Sequence, residues 1–444
     1  MFGTSGIRGP LGTVITTDLG VRLGRSLGEW GATHVVIGRD VRPSGAALVD
    51  AVAAGLREYG VDVTDVGMAA TPTIARSVAW CDADAGVAVT ASHNPSTDNG
   101  FKCWLPSGRA FGPAEQSSLE GALEGSINPD RIDPRAAPAR SRWNAATERH
   151  VEAIVAATSV EGEPTVVVDL GNGAGQVCAR ALDELGCHVH TVNGQPDGRF
   201  PGRPSEPTAA NCSALREMVP AIGADLGIAH DGDADRMLAV DATGRWIGGD
   251  TILGVFATAV AGNGDQVAFP VDTSLAVEDA LASVGASAIR TRVGDVFVAD
   301  QANEPGVVFG GEPSGTWIFP DETLSPDGPL AAARLVSLVS REGSLAELAD
   351  AIPAYPIRRK AIEVTDKPRV MERVSAVIDE LDGDVETIDG VRLATDHGWL
   401  LIRPSGTEPI VRLTAEAREE KRADALLETG ESVVREAIEA ETPP

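Results

Sequence analysis

The sequence predicts an α/β protein: three tandem α/β domains with mixed sheets, then a smaller C-terminal α+β domain. Three observations carry this. The length of 444 residues allows about three domains, with a fourth possible. A strand–helix–strand unit recurs at 34–67, 165–194 and 266–294. Beyond "IPAYPIRRK" (352–360) the unit disappears, and a helical stretch near 367–382 gives way to short strands. The joints divide the chain into 1–150, 151–247, 248–355 and 356–444.

Each copy of the unit reads the same way. A short β-branched run ends in an aspartate (Asp40, Asp169, Asp272). A turn with Gly or Ser follows, then an Ala/Leu-rich stretch at helical spacing. A glycine stands where the helix should close (Gly60, Gly186, Gly285), before a second strand. The copies lie roughly 100–130 residues apart, so each seeds its own domain. In the last segment "GWLLIRPSGTEPIVRLTAEA" reads strand–turn–strand, and a charged amphipathic helix follows. "GSINPDRIDPRAAPARS" (125–141) reads as a surface crossing.

Composition excludes several classes. The net charge of -28 repels phosphate backbones, so nucleic acid is not an expected partner. The acid is spread along the chain, as on a solvated surface. With so little lysine, it predicts adaptation to a very salty cytosol, where the Debye length falls to about 3 Å. Five cysteines without a C-x-x-C pair predict reduced thiols and no zinc framework. No apolar run approaches ~18 residues, and no leader pattern stands at the N-terminus. A soluble, cytoplasmic protein without membrane partners is expected.

Several familiar patterns fail. Gly171-Asn172-Gly173-Ala174-Gly175 follows a strand, but Gln176 stands where a dinucleotide fingerprint needs Gly or Ala. Asp231, Asp233 and Asp235 begin like an EF-hand loop, but Arg236 and Ala242 occupy its Gly and Glu positions. Ser92 has no G-x-S-x-G elbow.

What survives is a dispersed set. "LGIAHDGDADRMLAVD" (226–241) places three carboxylates at i, i+2 and i+4, on one side if the backbone is extended. Clustered oxygen ligands without Cys or His favour Mg²⁺; an acidic solvated hairpin is the competing reading. Arg236 alongside suits an anionic group. "GEPSGTW" (311–317) offers Glu312 and Ser314 to adjacent sugar hydroxyls, or is an ordinary turn. "RPSGTEP" (403–409) offers Arg403, Ser405, Thr407 and the N–H groups around Gly406 as a phosphate nest, or is a plain hairpin turn. "GTSGIRG" (3–9) holds Arg8 with the same two readings. "VAVTASHNPSTDNGFK" (87–102) places Ser92 at a strand end and closes on Lys102. The chain has only four lysines, and Lys102 stands alone in its first 359 residues. Together these parts suit phosphoryl transfer on a sugar phosphate.

Six pieces in order, GTSGIRG, TASHNP with NGFK, DGDADR, TRVGD, GEPSG and RPSGTEP, resemble the α-D-phosphohexomutase family over essentially the whole chain. The opening most resembles the archaeal phosphoglucosamine mutases. The resemblance implies four domains around a central cleft. It implies a Mg²⁺-dependent isomerase interconverting hexose 6-phosphate and hexose 1-phosphate, with a hexose 1,6-bisphosphate as activator. Ser92 would carry the phosphoryl group. Asp231, Asp233 and Asp235 would bind one Mg²⁺ together with phosphorylated Ser92. Arg8 and Arg236 would hold the moving phosphoryl, and Lys102 would be the acid/base. His93 matches the motif and would shape the loop. Glu312 and Ser314 would grip the sugar. Arg403, Ser405, Gly406 and Thr407 would hold the non-transferring phosphate, with Arg412 a weaker addition.

Two positions depart from the family pattern. Thr316 follows Gly315 where many relatives carry His, which excludes a histidine acid/base there. Val296 stands where many have a basic residue, and Arg290 or Arg292 is the expected substitute. Glucosamine phosphate is the expected substrate, with mannose, glucose or pentose phosphates as alternatives. No motif reads C2, where the hexoses differ. A non-catalytic sugar-phosphate binder is the reading from another class, and the retained Ser92 and aspartates oppose it. The sequence leaves the oligomeric state open.

Overall fold

The computed structural model describes residues 2–3, 6–124, 138–378, 381–405 and 409–439. Four sheets succeed one another along them. The first contains β1 (Ile7–Pro10), β2 (His34–Arg39), β3 (Asp62–Met68), β4 (Ala85–Val89), β5 (Asp98–Trp104) and β6 (Arg140–Arg142), in the order β1-β5-β4-β2-β3-β6. The second contains β7 (Thr165–Asp169), β8 (His188–Val192), β9 (Leu226–His230), β10 (Met237–Asp241) and β11 (Trp246–Ile247), in the order β11-β10-β9-β7-β8. The third contains β12 (Gln266–Pro270), β13 (Ser287–Thr291), β14 (Val307–Glu312) and β15 (Thr316–Ile318), in the order β13-β12-β14-β15. The fourth contains β16 (Ile357–Glu363), β17 (Asp384–Glu386), β18 (Val391–Thr395), β19 (Gly398–Pro404) and β20 (Ile410–Ala417), in the order β16-β20-β19-β18-β17, antiparallel throughout.

The first three sheets are mixed, as the repeated unit predicts. Each has a parallel centre, and a strand beside that centre turns back as an antiparallel hairpin: β4–β5, β9–β10 and β14–β15. Central strands such as β4 and β9 are buried on both faces and read as continuous apolar runs, whereas the outer parallel strands β8 and β13 are partly exposed. In the fourth sheet β19–β20 forms the matching hairpin.

The segment read as a surface crossing is partly a strand. Residues 125–137 lie outside the described residues, but Arg140–Arg142 pairs in parallel with β3. Its side chains are exposed, so no apolar alternation marks it. Arg140 and Arg142 instead pair with Asp65, at 3.0 and 3.4 Å.

One large apolar cluster runs through the second and third sheets, from Val166 and Ile228 to Phe309 and Trp317, which fixes them relative to each other. A buried polar node adds the first. Asp327 caps the helix Gly328–Glu342 through Leu330 N–H (3.0 Å) and accepts from Arg76 Nε (2.7 Å) and His150 Nε2 (2.9 Å). The fourth sheet keeps its own core and docks through Glu416, which accepts from Ser274 Oγ (2.5 Å), Leu275 N–H (2.7 Å) and Trp399 Nε1 (2.8 Å). Among the described residues no helix is long and apolar enough to cross a membrane.

Candidate active site

The serine, carboxylate and Glu312 motifs sit at the turns of the β4–β5, β9–β10 and β14–β15 hairpins. Between β4 and β5, Ser92 is buried and takes a left-handed φ of 49°, a conformation that side chains other than glycine seldom adopt. Its N–H donates to Thr90 Oγ1 at 2.9 Å. Its carbonyl accepts from Arg42 Nη2 (2.9 Å) and from Ser205 Oγ (2.7 Å). Arg42 is fully buried and also donates to the carbonyls of Asn94 (2.7 Å) and Asp98 (2.9 Å), while Asp40 anchors its Nε at 3.0 Å. The strained turn is thus fixed from both sides, which aims Ser92 Oγ at Asp231 Oδ2, 2.6 Å away.

Asp231, Asp233 and Asp235 lie in the β9–β10 turn, all buried, each offering an oxygen within 4.8 Å of the others. They converge by a different route from the one expected. The segment is a turn, with Ala234 at φ 58°, and the curl rather than an extended pleat gathers the carboxylates. A Cβ at Gly232 would fall 2.8 Å from the Ser92 carbonyl, so only glycine lets this turn press against the serine turn. Burial, and then the charge of Asp233, pushes Asp235 up to about 6, and the same causes raise Asp231 well above the carboxylate range. Asp233 Oδ2 accepts from Thr71 and Thr90, at 2.7 and 2.9 Å. Its Oδ1 and Asp235 Oδ1 are buried without a partner. Unpaired oxygens on two of three clustered carboxylates are costly unless a cation joins them, and the all-oxygen donor set fits a hard divalent ion.

A second aspartate–arginine clamp holds this turn. Arg203 Nε meets Asp169 Oδ2 at 2.7 Å, and its Nη2 donates to the His230 carbonyl at 2.6 Å. Its Nη1 reaches the carbonyl of Ser205 at 3.3 Å, the residue whose hydroxyl holds Ser92. The serine and carboxylate turns are therefore one hydrogen-bonded unit.

The cleft in front of Ser92 has a volume of about 270 Å³ and is lined from all four sheets' domains. Arg8 and Arg236 flank Ser92, and both have a buried Nε without a partner. His93 Nδ1 lies 3.3 Å from Ser92 Oγ. Burial, then Arg236 and Arg8, holds its pKa down to about 3, so the ring is neutral and suits shaping the loop. Lys102 is buried, with Nζ 2.5 Å from Asp295 Oδ2 and 4.6 Å from the Trp104 ring centre. Across the cleft Glu312 accepts from Gly294 N–H at 2.8 Å and Thr316 Oγ1 at 3.0 Å, with Ser314 Oγ at 3.5 Å. Burial, then Asp295, pushes its carboxyl up to about 7. Arg236 bridges to Thr316 through the backbone, which locks the Glu312 turn to the carboxylate turn.

Other expected residues stand elsewhere. Arg403 pairs with Asp389 at 3.1 Å, and Ser405 is buried at the end of β19. Gly406 and Thr407 lie outside the described residues. Arg412 is exposed, opposite Arg403 across β19–β20. Neither substitute for a basic residue at Val296 lines the cleft. Arg290 is tied to Glu278 and Glu386, at 2.5 and 3.0 Å, and Arg292 lies 4.7 Å from the Phe297 ring centre.

Sequence reasoning missed Arg42, Arg203, Ser205, Asp295 and Arg359. The strand-end aspartates Asp40 and Asp169 were a signal for the clamps. Their arginine partners lie two and 34 residues downstream, so no fixed spacing reveals them.

A buried serine against three clustered carboxylates, in a cleft that also holds Arg8, Lys102, Arg236 and Arg359, is an arrangement suited to phosphoryl transfer. Family models described as phosphoglucomutase/phosphomannomutase match in four parts: alpha/beta/alpha domain I over residues 1–128, domain II over 148–244, domain III over 248–355 and the C-terminal domain over 360–429. A probable phosphoglucosamine mutase of Methanopyrus kandleri is 44% identical, over 99% of this chain and 98% of its own length. One from Methanosarcina acetivorans is also 44% identical, over 99% of both. A solved phosphoglucomutase/phosphomannomutase family protein from Burkholderia thailandensis is similar with TM-score 0.87 at 28% identity, over 98% of both chains. An N-acetylphosphoglucosamine mutase of Aspergillus fumigatus, solved with GlcNAc-6P and magnesium, shares the fold at TM-score 0.62 and 16% identity, over 98% of this chain and 96% of its own. The chain belongs to the phosphoglucomutase/phosphomannomutase family. It is an isomerase of the phosphomutase kind.

Proposed function

We propose that the protein interconverts hexose 6-phosphate and hexose 1-phosphate through a phosphorylated Ser92, with glucosamine phosphate as the preferred substrate. The observation that carries this is Ser92 Oγ, 2.6 Å from one of three clustered carboxylates and open to a cleft whose far wall is Glu312. The naming of full-length relatives as probable phosphoglucosamine mutases supports the substrate.

Asp231, Asp233 and Asp235, with phosphorylated Ser92, would hold one Mg²⁺, which supplies positive charge at the transferring phosphoryl group. The substrate hydroxyl attacks the phosphorus on Ser92. A new O–P bond forms and the bond to Ser92 Oγ breaks, leaving its electron pair on that oxygen, which faces Arg8 and Arg236. The hydroxyl proton passes through Lys102 to Asp295. The bisphosphorylated sugar then turns in the cleft, and its other phosphate returns to Ser92 by the same steps in reverse. Glu312 and Ser314 grip the sugar hydroxyls in both orientations. Arg403 and Ser405, with Gly406 and Thr407, hold the phosphate that stays. A hexose 1,6-bisphosphate primes the cycle by phosphorylating Ser92. The test is a set of coupled assays on glucosamine, mannose and glucose 1-phosphates with Mg²⁺ and the bisphosphate. Fastest turnover on mannose 1-phosphate rejects the substrate, and turnover on none of them rejects the activity.

A further inference from the structure

Arg359 stands apart from the other basic residues of the fourth sheet. On β16 its neighbours Arg358 and Lys360 turn to the opposite face, where they pair with Asp424 and Glu431, each at 2.6 Å. Arg359 points the other way, into the cleft in front of Ser92, and has no hydrogen-bond or ion-pair partner among the described residues. Five donors on a fixed planar charge are left open to whatever enters.

The register shows what else shares that face. Arg359 opposes Thr414, which opposes Leu401; Ala361 opposes Arg412, which opposes Arg403. Directly paired residues point to the same side of a sheet, as do residues two apart. Arg359, Arg403 and Arg412 therefore lie on one face, the one whose Trp399 and Leu401 pack on Val271 of the third domain. With strands about 4.8 Å apart and a rise of about 3.4 Å per residue, the Cα atoms of Arg359 and Arg403 lie about 12 Å apart. Two arginine side chains at that separation can converge on one anion. The Asp272 carboxyl on the cleft wall feels the charges of both.

The geometry points to Arg359 as a further substrate-binding residue, contacting the non-transferring phosphate of the sugar phosphate together with Arg403. This rests on the proposed mutase reading. It assigns the C-terminal domain a cleft contact outside the 403–409 turn.

The test is titration calorimetry on the full chain carrying Ser92→Ala, with Mg²⁺, so that binding is read without turnover. The probes are glucosamine 6-phosphate and unphosphorylated glucosamine. Adding Arg359→Ala is expected to weaken the phosphate ester's Kd about tenfold or more, with Arg359→Lys recovering part of the loss. The unphosphorylated sugar should show no such change. In the Ser92 enzyme, Arg359→Ala should raise KM about tenfold and leave kcat within about twofold, because the contact is made in ground and transition states alike. β16 is an edge strand and Arg359 is exposed, so the melting temperature should hold. An unchanged Kd, or a loss confined to kcat, overturns the assignment. Arg359-dependent binding by an enzyme without mutase turnover would reject the function and keep the residue's role.

Discussion

The ammonium of Lys102 lies 2.5 Å from a carboxylate oxygen of Asp295, and the pair closes the inner end of the cleft away from solvent. The two residues come from different domains, so the pair exists only when the cleft is assembled. In the proposed mechanism Lys102 moves a proton, which arginine cannot release. Lys102→Arg should therefore lower kcat by about 10²-fold or more, with a small change in KM. Steady-state kinetics checks this, and near-normal turnover would move the proton transfer elsewhere.

The unpaired oxygens of Asp233 and Asp235 predict a site that is more stable with a divalent ion than without. Chelator-treated protein should be inactive and should recover with Mg²⁺. Its melting temperature should rise on Mg²⁺ addition, equivalent to about 2.7 kcal/mol at a hundredfold excess over Kd. Asp233→Asn should abolish that upshift, as differential scanning calorimetry would show.

Much of this was legible in the sequence, for identifiable reasons. The three strand-end aspartates and the glycines after each helix mark a local unit whose period is visible along the chain. The aspartates of 231–235 stand between apolar runs that can only be buried strands. Reading them as extended was wrong about the backbone, since Ala234 in a left-handed turn is not written in its residue type. The clamps were half legible: Asp40 and Asp169 mark them, but Arg42 and Arg203 otherwise act on carbonyls, which carry no sequence signal. Asp295 and Arg359 have meaning only through the domains they face. β6 was hidden because an edge strand of exposed arginines shows no alternation.

Glu312 predicts a pH dependence. Burial, then the charge of Asp295, raises its carboxyl to about 7, so in the free enzyme it carries a proton below that pH and is ionised above it. In the proposed function the ionised form is the one that would accept from two sugar hydroxyls. The wild-type kcat/KM should fall as pH drops through about 7. Glu312→Gln should lose that inflection while keeping the one due to the substrate phosphate. A constant ratio between the two enzymes from about pH 6 to 8 would remove Glu312 from sugar binding.

Arg42 predicts a coupled loss of stability and phosphorylation. Lysine offers three donors from one point and cannot span the carbonyls of Ser92, Asn94 and Asp98 while holding Asp40. Arg42→Lys should cost about 3 kcal/mol in denaturant unfolding. It should also slow phosphorylation of Ser92 by hexose 1,6-bisphosphate, because the turn at φ 49° relaxes. A destabilised variant with an unaltered phosphorylation rate would make the clamp purely architectural.

Ser92 carries the central step of the proposed reaction. The direct measurement is the mass of the Ser92 peptide before and after the enzyme meets a hexose 1,6-bisphosphate, and again after a hexose monophosphate. One added phosphoryl group on Ser92, discharged by the monophosphate and absent from a Ser92→Ala enzyme that no longer turns over, is the predicted result. A Ser92→Ala enzyme that keeps its turnover, or a phosphoryl group carried on another residue, would contradict it.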